Sequence, residues 1–280
     1  DLGDCAGGTL RELYFCCGDG MSGAALITGG AQRLGAAMTR YLAARGYAVA
    51  IHYNSSSGEA DALVAELKGQ GVNAVALQAD LLDEAATETL VTRACEALGQ
   101  PLTCLINNAS IFEYDTLQSA TRESWDRHIG SNLRAPYVLT QAFAAQAPAV
   151  LRDERDEPLA SSLIINMIDQ RVRKLTPEFS TYTIAKMGLW ALTQTAAQGL
   201  APAVRVNAIG PGPTMQGARQ TASHFARQRE NTVLQRGSNL ADITAALGYF
   251  LEAAAVTGQL LCVDGGQHLS WQTPDVLGVE

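Results

Sequence analysis

With 280 residues, 47% of them hydrophobic and 17% charged, the chain has the size and apolar content of one large α/β domain with an ample core. A net charge of −8 argues against a nucleic-acid partner, and no apolar run is long enough to span a bilayer. The cysteines, Cys5, Cys16, Cys17, Cys95, Cys104 and Cys262, make no metal-ligand spacing, so a reduced, cytoplasmic protein is the simplest expectation.

Residues 1–20 differ in character from the rest of the chain. They are glycine- and cysteine-rich, hold no sustained period and lack the basic start and long apolar middle of a secretory signal. They read as a vector-derived or upstream-translated leader, with the natural start at Met21; a flexible arm is the other reading. Residues 21–280 read as a single catalytic domain.

The run Ala24-Ala25-Leu26-Ile27 ends in Thr28-Gly29-Gly30-Ala31-Gln32-Arg33-Leu34-Gly35, and an apolar-periodic segment continues to Leu42. This predicts strand, tight loop and helix. Glycines let backbone approach a phosphate, and a helix N-terminus offers free N–H groups and a positive dipole end, so a diphosphate is the expected guest. The spacing departs from GxGxxG, because Arg33 stands where a middle glycine is expected.

Residues 47–53 read as a second buried strand. A site that prefers NAD usually ends this strand with an acid that binds the ribose hydroxyls. Here the sequence is His52-Tyr53-Asn54-Ser55-Ser56-Ser57. No carboxylate repels a 2′-phosphate, Arg33 can supply positive charge, and hydroxyl and amide donors complete a cradle, which favours NADP(H) over NAD(H). One of the three serines is also expected to cap the next helix, residues 59–68.

Residues 73–79 form a third predicted strand, closed by Asp80-Leu81. Asp80 can accept from an adenine amino group beside a donating backbone N–H; a helix N-cap fits it equally. A helix over 84–98 and a fourth strand over 102–106 come next, the strand ending in Asn107-Asn108-Ala109-Ser110. The paired asparagines can lock strand ends together and present donors to a ribose, while small Ala109 leaves room for a cofactor. A helical region over 122–147 contains Asn132, a poor mid-helix residue that marks a kink, an outward backbone carbonyl and a bound water. Residues 152–157 read as a solvated charged loop, and a fifth strand over 163–168 ends at Asp169.

Tyr182-Thr183-Ile184-Ala185-Lys186 places a phenol and an ammonium four apart on one helix face. The ammonium is expected to lower the phenol's pKa and so suit it to acid–base work. Alone the pattern usually means a surface pair; its position after the fifth strand gives it weight. A sixth strand over 204–209 ends in Gly210-Pro211-Gly212-Pro213-Thr214, which shapes a loop beside a nicotinamide. The polar stretch of about 213–235 reads as a lid over substrate. A helix over 240–251, a last strand over 259–263 and Asp264-Gly265-Gly266 complete the order.

Over residues 21–269 these motifs resemble the short-chain dehydrogenase/reductase family. The resemblance implies a Rossmann-type doubly wound domain, with seven parallel strands in order 3-2-1-4-5-6-7 and helices on both faces. It also implies NADP(H), and usually a homotetramer. It places cofactor contacts at Gly29, Arg33, Leu34, His52, Tyr53, Ser55, Ser56, Asp80, Leu81, Asn108, Ala109, Ser110, Tyr182, Lys186, Pro211, Gly212 and Thr214. The catalytic set it implies is Asn132, Asp169, Tyr182 and Lys186.

Two departures narrow the resemblance. Arg33 replaces a glycine, and Asp169 stands 13 residues before Tyr182, where most members carry the catalytic serine. With His52-Tyr53 and Phe112 these features resemble the pteridine reductase branch, which includes bacterial dihydromonapterin reductases. That likeness implies NADPH-dependent reduction of a pterin C=N bond. Tyr182 supplies the proton, Asp169 orients Tyr182 and relays protons, Lys186 holds the nicotinamide ribose, and Asn132 positions a water. Phe112 stacks the pterin against the nicotinamide, and Ser110, with Asp169 and Tyr182, contacts it. Ser55 stands where protozoan members carry an Arg, which shifts phosphate selectivity onto Arg33, His52 and Ser56. A carboxylate beside the phenol suits an imine-type substrate, because an ionised Asp would repel the alkoxide formed from a ketone. The alternatives are a ketone or 3-oxoacyl reductase and an NADP-binding regulatory protein without turnover; an intact Asn132, Tyr182 and Lys186 set argues against the second.

Overall fold

The computed structural model describes residues 23–217 and 220–273, so the leader expected over residues 1–20 lies outside the described residues. In chain order the strands are β1 (Ala24–Ile27), β2 (Ala48–Tyr53), β3 (Ala74–Gln78), β4 (Cys104–Asn107), β5 (Leu151–Arg152), β6 (Pro158–Leu159), β7 (Ser162–Met167), β8 (Val204–Pro211) and β9 (Leu260–Val263). The helices are α1 (Arg33–Ala43), α2 (Ser57–Gly69), α3 (Glu84–Leu98), α4 (Arg122–Ile129), α5 (Ala135–Gln146), α6 (Ser180–Gly199), α7 (Ala222–Glu230) and α8 (Leu240–Glu252).

Seven strands form one parallel sheet in the order β3-β2-β1-β4-β7-β8-β9, which is the expected 3-2-1-4-5-6-7 once the hairpin β5–β6 is set aside. Strands β1, β4 and β7 are buried along their whole length. Their near-continuous apolar sequences are what a parallel sheet covered on both faces requires. Alternate residues of β1 enter different cores. Ala25 and Ile27 join Met38, Leu42, Leu63, Leu247 and Phe250 under α1, α2 and α8. Ala24 and Leu26 join Leu90, Leu98, Leu139 and Phe143 under α3 and α5. The register sets Ile27 beside Ile51 and Ile106, and Asn107 beside Asn166, so the C-terminal ends of the central strands finish together. In open α/β sheets that edge is where ligands bind.

Four local readings change. Ser56 occupies the N-cap position of α2, yet no side chain makes the expected cap bond there. Asp80 does not cap α3; Asp83 does, accepting from the amides of Ala85 and Ala86, while Asp80 accepts from Leu82 N at 3.0 Å. The charged stretch 152–157 turns the hairpin β5–β6, because the Asp153 carboxylate gathers the amides of Arg155 and Glu157. The long helical region is α4, one π-helical turn (Gly130–Arg134) and α5, with Asn132 inside the turn.

Candidate active site

The β1–α1 loop is closed to side chains. Gly29 holds φ +59°, and a Cβ on Gly35 would fall 2.0 Å from the Gly29 carbonyl oxygen. Helix α1 can approach the loop this closely only with glycine there. Arg33, the residue that breaks the usual spacing, keeps a glycine-like backbone at φ +49° and stays exposed. Its Nη2 donates to Gln216 O at 3.3 Å and so joins the loop to the segment before α7. The resulting cradle has the shape and N-terminal helix dipole that a diphosphate needs. Leu34, Ala109, Tyr53 and Ser56 are half-buried around it, and Ser55 is exposed.

His52 sits differently from a phosphate ligand. It is buried, its Nδ1 accepts from Gly29 N at 3.0 Å, and its Nε2 pairs with Ala79 O at 3.0 Å. Burial pushes its pKa down to about 4, so it is a neutral ring that fixes the loop. Asn108 fixes the other side, donating from Nδ2 to the carbonyls of Thr28 and Gly29 at 2.9 and 3.1 Å. Asn107 donates to Asn166 Oδ1 at 2.8 Å, locking β4 to β7 as its position suggested. On the far side Pro211 pairs with Val263 in the sheet and Gly212 lies against Asp264, where a Cβ on Gly212 would meet the Asp264 Cβ at 2.5 Å. Thr214 Oγ1 donates to Gly212 O at 3.1 Å or pairs with Ser238 Oγ. Asp80 is exposed and Leu81 buried at the end of β3.

Tyr182 and Asp169 meet here. The phenol donates to Asp169 Oδ2 at 3.0 Å, while Asp169 Oδ1 accepts from Arg171 N at 2.8 Å and starts the 3-10 turn Gln170–Arg173. The carboxylate is thus at once the cap of the turn and the partner of the phenol. Lys186 is buried and donates from Nζ to Met167 O at 2.8 Å. The phenol's pKa nevertheless rises rather than falls. Burial first, then the Asp169 carboxylate, push Tyr182 well above its ordinary value, while Arg171 and the Ser110 hydroxyl pull it down. Burial pushes Lys186 down to about 8 and Asp169 up. The spacing predicts the shared face; desolvation, which spacing cannot register, sets the sign.

Asn132 is buried with its amide closed on one residue: Oδ1 accepts from Ile111 N and Nδ2 donates to Ile111 O, both at 2.8 Å. Its side chain therefore anchors the chain entering the site. Phe112 is next, 46% exposed, stacked on Phe179 at a centroid distance of 4.3 Å and 8°, and edge-on to Tyr182 at 4.7 Å. Arg171 lies over the Phe179 ring at 5.0 Å. Neither Phe179 nor Arg171 figures in the sequence reading. Phe179 is the N-cap of α6 in the left-handed region at φ +56°, outside the helical period, so no spacing signalled it.

Residues 23–227 match the short chain dehydrogenase family. The chain belongs to that family. A FolM alternative dihydrofolate reductase 1 from Brucella suis, solved in complex with NADP, is 40% identical to this short-chain dehydrogenase, covers 92% of it and 100% of its own chain, and superposes with a TM-score of 0.85. Pteridine reductase 1 of Leishmania tarentolae is 30% identical over 286 residues, spanning 88% of this chain and 96% of its own. The 3-oxoacyl-[acyl-carrier-protein] reductase FabG of Staphylococcus aureus is 29% identical over 254 residues, spanning 89% and 99%.

Proposed function

We propose that this short-chain dehydrogenase is an NADPH-dependent reductase of a pterin-type C=N bond. The observation that supports it most is the Asp169–Tyr182 hydrogen bond, a carboxylate where most of the family is expected to carry serine. The likeness to the Brucella FolM and Leishmania enzymes points the same way.

The glycine cradle of Gly29 and Gly35 fits a dinucleotide. Gly29, Leu34 and Arg33 would hold its diphosphate, and Arg33, Ser55 and Ser56 a 2′-phosphate. Asp80 and Leu81 would take the adenine, Asn108, Ala109, Tyr182 and Lys186 the inner ribose, and Pro211, Gly212 and Thr214 the nicotinamide. Bound NADPH supplies a hydride. The C=N carbon takes it, the π electrons become a nitrogen lone pair, and that nitrogen takes the proton held between Tyr182 and Asp169. Burial raises the pKa of both groups, which keeps a proton on the pair at neutral pH. Phe112 stacks on the substrate ring, and Ser110 hydrogen-bonds its edge. A homotetramer in a reducing cytoplasm belongs to the same reading; Cys95, Cys104 and Cys262 are free thiols.

A ketone or 3-oxoacyl substrate is the second reading, favoured by the likeness to FabG. Steady-state rates with NADPH decide between them. We expect kcat/KM for dihydrobiopterin to exceed that for every member of a ketone and 3-oxoacyl thioester panel by at least about a hundredfold, a difference of roughly 3 kcal/mol. Pterin turnover at background would overturn the assignment.

A further inference from the structure

Residues 111–115 are held in alternation. Ile111 is bound by both ends of the Asn132 amide. Glu113 N donates to His128 Nε2 at 3.1 Å, and its carboxylate pairs with Arg127 at 2.8 Å. Asp115 accepts from Thr181 N at 3.1 Å on Oδ1, and from Thr181 Oγ1 at 2.5 Å and Ser124 Oγ at 3.1 Å on Oδ2. The residues between them, Phe112 and Tyr114, are the exposed ones, and both meet the ring of Phe179. An extended segment turns successive side chains to opposite sides, so pinning every second residue aims the others.

The clasp also explains the placing of Phe179. That residue is the N-cap of α6, in the left-handed region at φ +56°, and no side chain of its own caps the helix. Asp115 does so from 66 residues away, with its carboxylate on the second amide of the helix and its carbonyl accepting from Ser180 N at 3.3 Å. A negative charge at a helix N-terminus is favourable there. The capping is supplied from outside, and the Phe179 ring lies on Phe112. His128 completes the link with a defined proton order. Because Nε2 accepts from Glu113, Nδ1 carries the hydrogen toward Thr181 Oγ1 at 2.6 Å, and the Thr181 hydroxyl donates onward to Asp115. His128 and Asp115 are both buried.

We propose that His128 and Asp115 are positioning residues for the substrate ring: by clamping alternate residues of 111–115 to α4 and to the start of α6, they fix the planes of Phe112 and Phe179. This rests on the reading of Phe112 as the ring that stacks on a pterin. Neither residue touches the reacting atoms.

The test uses His128→Ala and His128→Gln in the full chain. Gln keeps an acceptor for Glu113 N. His128→Ala should raise KM for dihydrobiopterin by about tenfold, with kcat and the NADPH dissociation constant within about twofold, and His128→Gln should recover most of the loss. Crystal structures of both variants with NADP should show the Phe112–Phe179 stack broken in His128→Ala and kept in His128→Gln. Unchanged KM with an intact stack in a folded His128→Ala protein overturns the proposal. So does a proportionate loss of kcat and NADPH affinity in both variants. If His128→Ala does not fold, His128→Gln decides alone: wild-type KM with the stack kept supports the clasp, and a raised KM with the stack kept contradicts it. A wild-type enzyme without pterin turnover would instead sink the substrate reading, and the ring positions in the two variants would still decide the clasp.

Discussion

Asp169 serves two geometries with one carboxylate. Oδ1 holds the amide of Arg171 and fixes the chain beyond β7, and Oδ2 holds the Tyr182 phenol. A serine could satisfy either, but it would bring no negative charge. At this scale the sequence is informative about identity and silent about environment. Tyr182 and Lys186 are legible as a pair from their spacing, whereas the upward shift of the phenol comes from burial contributed by residues far along the chain. His52 makes the same point. It occupies the place of a cofactor ligand in the motif, yet its two ring nitrogens are spent on Gly29 and Ala79. Its titration should show in the pH dependence of stability, because burial lowers its pKa from 6.5 to about 4. The folded protein keeps the ring neutral, while the unfolded chain protonates it near 6.5. The contribution is therefore intact above that value and is lost as pH falls toward 4. Urea denaturation should show about 2 kcal/mol less stability at pH 5 than at pH 7 from this group, and His52→Gln should remove that part of the slope. A variant with the wild-type pH dependence would clear His52 of the role.

The loop between β1 and α1 holds the ring of His52, and the π-turn ahead of α5 carries Asn132. Glycine inside a helix ordinarily costs about 0.5–1 kcal/mol relative to alanine, so Gly→Ala is often stabilising. Gly35 reverses that sign, since the added Cβ would meet a backbone oxygen at 2.0 Å. Gly35→Ala should lower the thermal midpoint by several degrees and weaken NADPH binding at least about tenfold, as backbone shifts of the loop propagate to the diphosphate. Gly58→Ala, in the first turn of α2 with nothing within 4 Å of its Cβ, is the control, and should leave both unchanged or slightly improved. Equal behaviour of the two variants, by scanning calorimetry and fluorescence titration, would contradict the cradle. Elements with a strong period were legible: α3 runs from Glu84 to Leu98 as its pattern predicts. What stayed hidden was built from distant partners. Asp115 and Thr181 are 66 residues apart, and His128 and Thr181 are 53 apart. No local period encodes such a contact, so the clasp behind Phe112 could not be read in advance. The hairpin β5–β6 escaped for another reason: its strands are only two residues each and its sequence is charged throughout the turn.

For the whole molecule, the sheet explains why motifs scattered over the chain act together. Two cores, one on each face, hold β1, β4 and β7 at a common height, and Thr28, Asn107–Ser110 and Asp169 all emerge from the same edge. The alternation of strand and helix patterns makes a parallel α/β sheet legible, whereas the strand order came only through the family resemblance. On the proposed function, substrate choice arises at this assembled edge and is electrostatic, a buried acid beside the phenol favouring a ring nitrogen over a carbonyl oxygen. The direct measurement is kcat/KM of Asp169→Ser with NADPH, against dihydrobiopterin and against the best ketone of the panel. The account predicts a fall of at least about a hundredfold for the pterin, with ketone reduction held or raised and NADPH affinity within about twofold. Undiminished pterin reduction by Asp169→Ser would contradict it.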